Sequence, residues 1–245
     1  MLRSLNELNG YAVHATDGDI GKVSEFYFDD IKWGIRYLVV DTGNWLHGRK
    51  VLLATAALKQ PEWKKRVFPL SITKEKVKTS PEIDTDKPVA RQHELDLHRH
   101  YGWEAYWGGE AIIGSPELVS SAFSTTQEDA NKGGRPFDPH LRTTKVISGC
   151  HVHATDGDIG HVADFIVDDE SWIIRYLVID TRNILPGPKV LVSPEWTKRI
   201  EWQERKIYFE VTKDKVKNSP LFDASAPVNR GYEESICDYY GRSKY

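Results

Sequence analysis

Apolar residues in this chain come in short bursts, separated at hairpin spacing by Gly, Asp and Asn. Gly10–Ala15 predicts a short strand, and Thr16-Asp17-Gly18-Asp19 predicts its turn, since Asp-Gly supplies the positive-φ positions of a tight hairpin. Gly21–Asp30 predicts a returning strand with a bulge at Gly21. Ile35–Asp41 (IRYLVVD) is β-branched, aromatic and nearly continuous, the pattern of a strand crowded on both faces as in a small closed barrel. Thr42–Arg49 reads as a Gly/Asn loop, and Lys50–Thr55 and Arg66–Leu70 predict a fourth and a fifth strand. The pattern then turns helical. Thr73 caps a short KEKVK turn, and residues 89–100 (VARQHELDLHRH) predict an amphipathic helix.

The whole pattern occurs twice. HATDGDIG at His14–Gly21 returns as His153–Gly160, 139 positions later, and 22 of the 33 residues in Gly10–Thr42 are identical to their partners in Gly149–Thr181. The second set of strands falls at Gly149–Ala154, Gly160–Asp169, Ile174–Asp180, Lys189–Ser193 and Lys206–Val211. A capped turn follows at Thr212, and then a helix over 228–240 that Gly231 interrupts. Short strands at this spacing predict a mainly β chain of two small antiparallel barrels, each followed by short helices. The predicted units are 1–103 and 140–245. Residues 104–139, rich in Gly, Ser, Thr and charge, form the linker between them.

Composition narrows the function. The hydrophobic fraction of 40%, with eight Trp, eleven Tyr and eight Phe, suffices for two small cores. A net charge of −3 with no basic half argues against direct nucleic-acid binding. No apolar run reaches the ~18 residues of a transmembrane helix, and MLRSLNELNGYAV lacks the apolar centre of a signal peptide. Cys150 and Cys237 answer to Tyr11 and His98 in the first unit, so the unit folds without a disulfide and a reducing, cytoplasmic compartment is expected.

Several groups carry candidate chemistry. His14, Asp17 and Asp19, with their twins His153, Asp156 and Asp158, offer imidazole and carboxylates to a divalent metal. The competing reading is a β-turn whose acids need not converge. His93, Asp96 and His100 share one helical stripe that could hold a metal, but their counterparts Tyr232, Ser235 and Tyr239 could not. Glu94 and His98 are expected to form a surface pair. Asp29-Asp30 and Asp168-Asp169 point to opposite faces of a strand, which suits turn capping better than acid/base work. Arg36 and Arg175 lie in the strongest strands and call for a carboxylate, with Asp41 and Asp180 the nearest candidates and an anion site the alternative. Trp103, Tyr106 and Trp107 crowd the exit from the first helix and offer either internal packing or a contact patch. No nucleophile, zinc or phosphate-loop motif occurs, so no catalytic residue and no cofactor are expected.

The ordered motifs GxxVHATDGDIGxV, FxxDD, W-x-IRYLVxDT and KVL, present in both copies, resemble the PRC-barrel family over roughly 1–103 and 140–242. The segment RQHELDLHRHYGWEAYWGG further resembles bacterial tandem PRC-barrel proteins. The family includes the cytoplasmic domain of the photosynthetic reaction centre H subunit and the C-terminal domain of the ribosome maturation factor. The resemblance implies a protein-contact module without shared catalytic residues, and hence a non-enzymatic interaction or scaffold protein. Its partner is an unidentified protein or a second copy of the chain. The alternatives are a small-ligand or metal-binding regulator, and a peripheral component of a membrane or ribosome-associated complex.

Overall fold

The computed structural model describes residues 1–82, 89, 91–104, 106, 141–182, 187–224, 226 and 228–241, with only the backbone of Arg91 and Gln92. It is mainly β. The first half contains β1 (Leu2–Ser4), β2 (Ala12–Ala15), β3 (Gly18–Asp29), β4 (Ile35–Asp41), β5 (Lys50–Ala54) and β6 (Val67–Pro69), with helices at Leu5–Leu8, Lys74–Lys78 and Arg91–Tyr101. The second half contains β7 (Leu141–Thr143), β8 (His151–Ala154), β9 (Gly157–Asp168), β10 (Ile174–Asp180), β11 (Lys189–Val192), β12 (Thr197–Glu201) and β13 (Lys206–Phe209). Its helices are Thr144–Ile147, Lys213–Lys217 and Arg230–Tyr240. Gly231 falls in the first turn of the last helix, behind the Asn229 cap, and therefore does not interrupt it.

The strands form two sheets, ordered β5-β4-β3-β2-β6 and β11-β10-β9-β8-β13-β12. Neighbours are antiparallel except β2–β6 and β13–β8, which are parallel. The expected closed barrels are corrected here: among the described residues neither hydrogen-bonded ladder closes on itself. In the second sheet the end strands β11 and β12 are consecutive in the chain, joined by the 3-10 corner Pro194–Trp196. A proline at the corner has no N–H to give a ladder, so the ends meet through the chain instead of through pairing. The first unit turns the same corner at Thr55–Ala57 and continues into a single bridge, Leu58 to Leu70.

A reciprocal strand exchange joins the halves. β1 pairs with β9 of the other half, Leu2 opposite Asp168 and Ser4 opposite Ile166. β7 pairs with β3, Leu141 opposite Asp29 and Thr143 opposite Tyr27. The same offset of 139 residues relates β1 to β7 and β3 to β9, so the two exchanges are symmetry mates. At the centre, Gly34 bridges Ile173, the Ile35 amide donates to the Trp172 carbonyl at 2.7 Å, and the Ile174 amide donates to the Trp33 carbonyl at 2.8 Å. Trp33 and Trp172 hold φ of 56° and 58°, a left-handed conformation that is rare for a bulky side chain. Each is buried, and its carbonyl makes the cross-seam bond, so contacts between the halves hold the backbone there.

The central strands are packed as their sequence demands. Tyr37–Val40 and Tyr176–Ile179 are fully buried. Gly21 and Gly160 answer a tight approach of the next strand's end: a Cβ on either would lie 1.9 Å or 1.8 Å from the carbonyl oxygen of Asp41 or Asp180. The bulge in β3 falls one residue earlier than expected, at Ile20, which the pairing of Val13 with Gly21 and His14 with Asp19 skips.

Candidate functional site

The exchange creates two symmetry-related grooves along the seam, with volumes of about 670 and 750 Å³. In the first, Asp30 accepts from Arg142 Nε at 2.9 Å, and the Arg142 guanidinium lies 4.0 Å over the Trp202 ring. In the second, Asp169 accepts from Arg3 Nε at 2.6 Å, and Arg3 lies 3.6 Å over Trp63. Both arginines sit on an exchanged strand, both acids on the strand end that receives it. Beside each groove an acid–arginine–tryptophan stack thus spans the two halves. The helices after the exchanged strands are held similarly: Asp164 accepts from the Asn6 amide at 3.2 Å, and Glu25 from the Lys145 amide at 3.0 Å. Burial pushes the Asp164 carboxyl above its ordinary range, against hydrogen bonds from Ser4, Phe165 and Asn6.

The paired aspartates divide their work. Asp29 accepts from the amides of Ile31 and Lys32 at 2.9 and 3.0 Å and from Arg36 Nη2 at 3.3 Å. Asp168 accepts from the Glu170 amide at 3.0 Å and lies 3.7 Å from Arg175 Nη2. Burial works to raise both carboxyls, but the turn amides outweigh it, joined by Arg36 at Asp29 and by the N-terminal ammonium, Ser171 and Arg175 at Asp168, and hold both below the ordinary value. The partners expected for Arg36 and Arg175 are therefore corrected, from Asp41 and Asp180 to Asp29 and Asp168. Asp41 accepts from the Gly43 amide and Asp180 from the amides of Arg182 and Gly187, so both hold the loops that follow.

The His/Asp triplets do not gather. Asp17 and Asp156 turn away to accept from the amides of Lys74 and Lys213, at 2.8 and 2.7 Å, and so hold the next short helix. His14 and His153 pair with Asp19 and Asp158, at 3.3 and 2.7 Å. On the helix Arg91–Tyr101, Asp96 reaches Arg99 and His100 bonds the Lys76 carbonyl at 2.7 Å, while His93 is exposed. Among the described residues no cluster of three His, Cys, Asp or Glu is arranged to hold a metal.

The expected surface pair Glu94–His98 is overturned, since both lie in the core, 0% and 7% exposed. Tyr37 on β4 explains this. Its hydroxyl donates to Glu94 Oε2 at 3.1 Å and meets His98 Nε2 at 2.7 Å, which gives two buried polar groups on one helical turn a partner in the sheet. Tyr106 closes over them. Its hydroxyl donates to the same Glu94 oxygen at 2.7 Å, and its ring carries the Arg36 guanidinium at 4.1 Å. Trp103 stacks on Tyr101 at 4.1 Å. Both aromatics pack on their own unit, and Trp107 lies outside the described residues.

No described helix is long and apolar enough to cross a membrane. No curated protein matches the chain. Residues 2–70, from β1 to the end of β6, match the family model of the PRC-barrel domain, which supports the PRC-barrel reading of the first unit.

Proposed function

We propose that the chain is a non-enzymatic protein-interaction or scaffold module made of two PRC-barrel units. The second unit joins the family through the repeat. The observation that carries the reading is an asymmetry between the seam grooves. The first groove has an apolar lip, Ile31 at 76% and Ile173 at 38% exposure, whereas the equivalent positions of the second groove are Glu170 and Gly34. Lys32, Arg175, Arg199 and Glu195 surround that lip. An apolar centre inside a charged rim is the anatomy of a protein contact surface. The cytoplasm, where Cys150 and Cys237 stay reduced, is the compartment that goes with this reading.

Crosslinking capture from native lysate, with mass-resolved size exclusion, tests it. The expected result is a reproducible protein partner or a defined homo-oligomer that disappears in Ile31→Asp. A monomer that captures nothing, or a partner that Ile31→Asp leaves in place, defeats the proposed surface.

A further inference from the structure

The second half contains a cavity of about 520 Å³ between β10 and the helix Arg230–Tyr240, lined by Arg175, Tyr176, Glu233 and Cys237, with Leu2 of the exchanged strand at its wall. Subtracting 139 turns Arg175, Tyr176, Glu233 and Cys237 into Arg36, Tyr37, Glu94 and His98, the residues that enclose Tyr106 in the first half. The first half therefore shows what this constellation receives. It is a phenol, with its hydroxyl donating to the glutamate and its ring face under the arginine.

The second half keeps each element of that recognition. The Tyr176 hydroxyl donates to Glu233 Oε1 at 3.3 Å, as Tyr37 donates to the Glu94 oxygen that it shares with Tyr106. Arg175 is steadied at its turn by Asp168, as Arg36 is by Asp29. The one change is His98 to Cys237, which replaces an imidazole by a smaller, buried thiol. A carboxylate that accepts a phenolic hydroxyl makes a charge-assisted bond, and a guanidinium over the ring adds a cation–π contact.

We propose that this cavity is a receptor for a phenol, seated as Tyr106 is seated in the first half. Two sources supply that chemistry. One is the chain's own Tyr245, which stands at the repeat position of Tyr106 and lies outside the described residues. The other is a separate phenolic ligand or a tyrosine of a partner. The cavity shares Arg175 with the rim of the Ile31 groove, and its other named residues, Tyr176, Glu233 and Cys237, lie outside that groove.

Titrating 4-methylphenol into isotope-labelled full-length protein, and following the amides of Tyr176, Glu233 and Cys237 by NMR, tests the site and separates the sources. Saturable binding to the wild type assigns the cavity to an added phenol. Binding seen only in Tyr245→Ala assigns it to the chain's own tyrosine. In whichever form binds, Glu233→Gln is expected to weaken the phenol about fivefold, since it trades a charged acceptor for a neutral one and keeps an acceptor for Tyr176. Toluene, which lacks the hydroxyl, is expected to bind more weakly than 4-methylphenol. Saturation in neither protein, or affinity indifferent to both Glu233→Gln and loss of the hydroxyl, overturns the proposal.

Discussion

Leu141→Ala tests the strand exchange at its most buried point. Leu141 begins β7, is fully buried, pairs opposite Asp29 and bridges Val89. It belongs by sequence to the second half and by packing to the first. Removing three carbons at ~0.8 kcal/mol each forfeits about 2.4 kcal/mol of transfer free energy. The neighbours are β strands held by their own ladders and collapse little, so a cavity contribution brings the loss to about 3–4 kcal/mol. For a chain of this size that lowers Tm by roughly 6–16 °C. Where the loss is felt matters more than its size. Interlocked halves unfold together, so hydrogen exchange quickens at Val39 and Leu52 in the first sheet and also at Val178 and Leu191 in the second. Calorimetry with exchange mass spectrometry reads both quantities. A loss below about 1 kcal/mol, or faster exchange confined to one sheet, refutes the exchange as the joint between the halves.

Two further outcomes follow from local geometry. Gly21→Ala and Gly160→Ala each drive a methyl group into a backbone carbonyl, which cannot rotate aside as a side chain could, and each is expected to cost at least ~3 kcal/mol by denaturant unfolding. Cost-free alanines would mean that the strand ends do not approach as described. The pH dependence follows from Asp29 and Asp168, whose folded-state values lie below 3.8, so their stabilisation is complete above the unfolded value and is lost as pH falls through the lowered one. Asp29→Asn/Asp168→Asn should therefore be less stable than wild type at about pH 6 and lose less on acidification below about pH 4. Asp164 acts with opposite sign, since its raised value penalises the folded state as pH climbs past the unfolded value. An unchanged acid limb in the double variant would show that the turn amides and arginines do not set it.

The strands with side chains that alternate or crowd were legible, because period and turn chemistry are local properties. Ile35–Asp41 and Ile174–Asp180 lie where the apolar runs put them. The strand exchange was not, since three-residue edge strands carry no period. The signal was available in another form, as Leu2-Arg3-Ser4 and Leu141-Arg142-Thr143 recur at the same 139-residue offset and end each in a small hydroxyl residue. β12 escaped for a related reason: its TKRIE sequence is largely polar and at most partly buried, and the turn over 202–205 folds it back beside β13. Glu94 and His98 look like a surface pair because i, i+4 spacing cannot say which face is covered. The deciding partner, Tyr37, is 57 residues away from Glu94 in sequence. The arginine partners were missed by proximity reasoning too, since Asp29 is brought back to Arg36 by the turn at Ile31–Trp33.

The two copies differ in a way that separates the parts of the fold that face each other from those that face outward. Arg3 and Arg142, Asp30 and Asp169, Trp33 and Trp172, Trp63 and Trp202 are the same residue in both copies, and every pair meets at the seam. A change there disturbs both halves at once, because each acid on one half fixes an arginine carried by a strand of the other. Ile31 against Glu170 and Ile173 against Gly34 lie at the groove lips, where a change alters one surface and leaves the joint alone. Near-twofold folding thus holds the scaffold symmetric while permitting its surfaces to diverge. A single contact face can arise on a duplicated chain in this way, and Ile31→Asp probes that face without touching the joint.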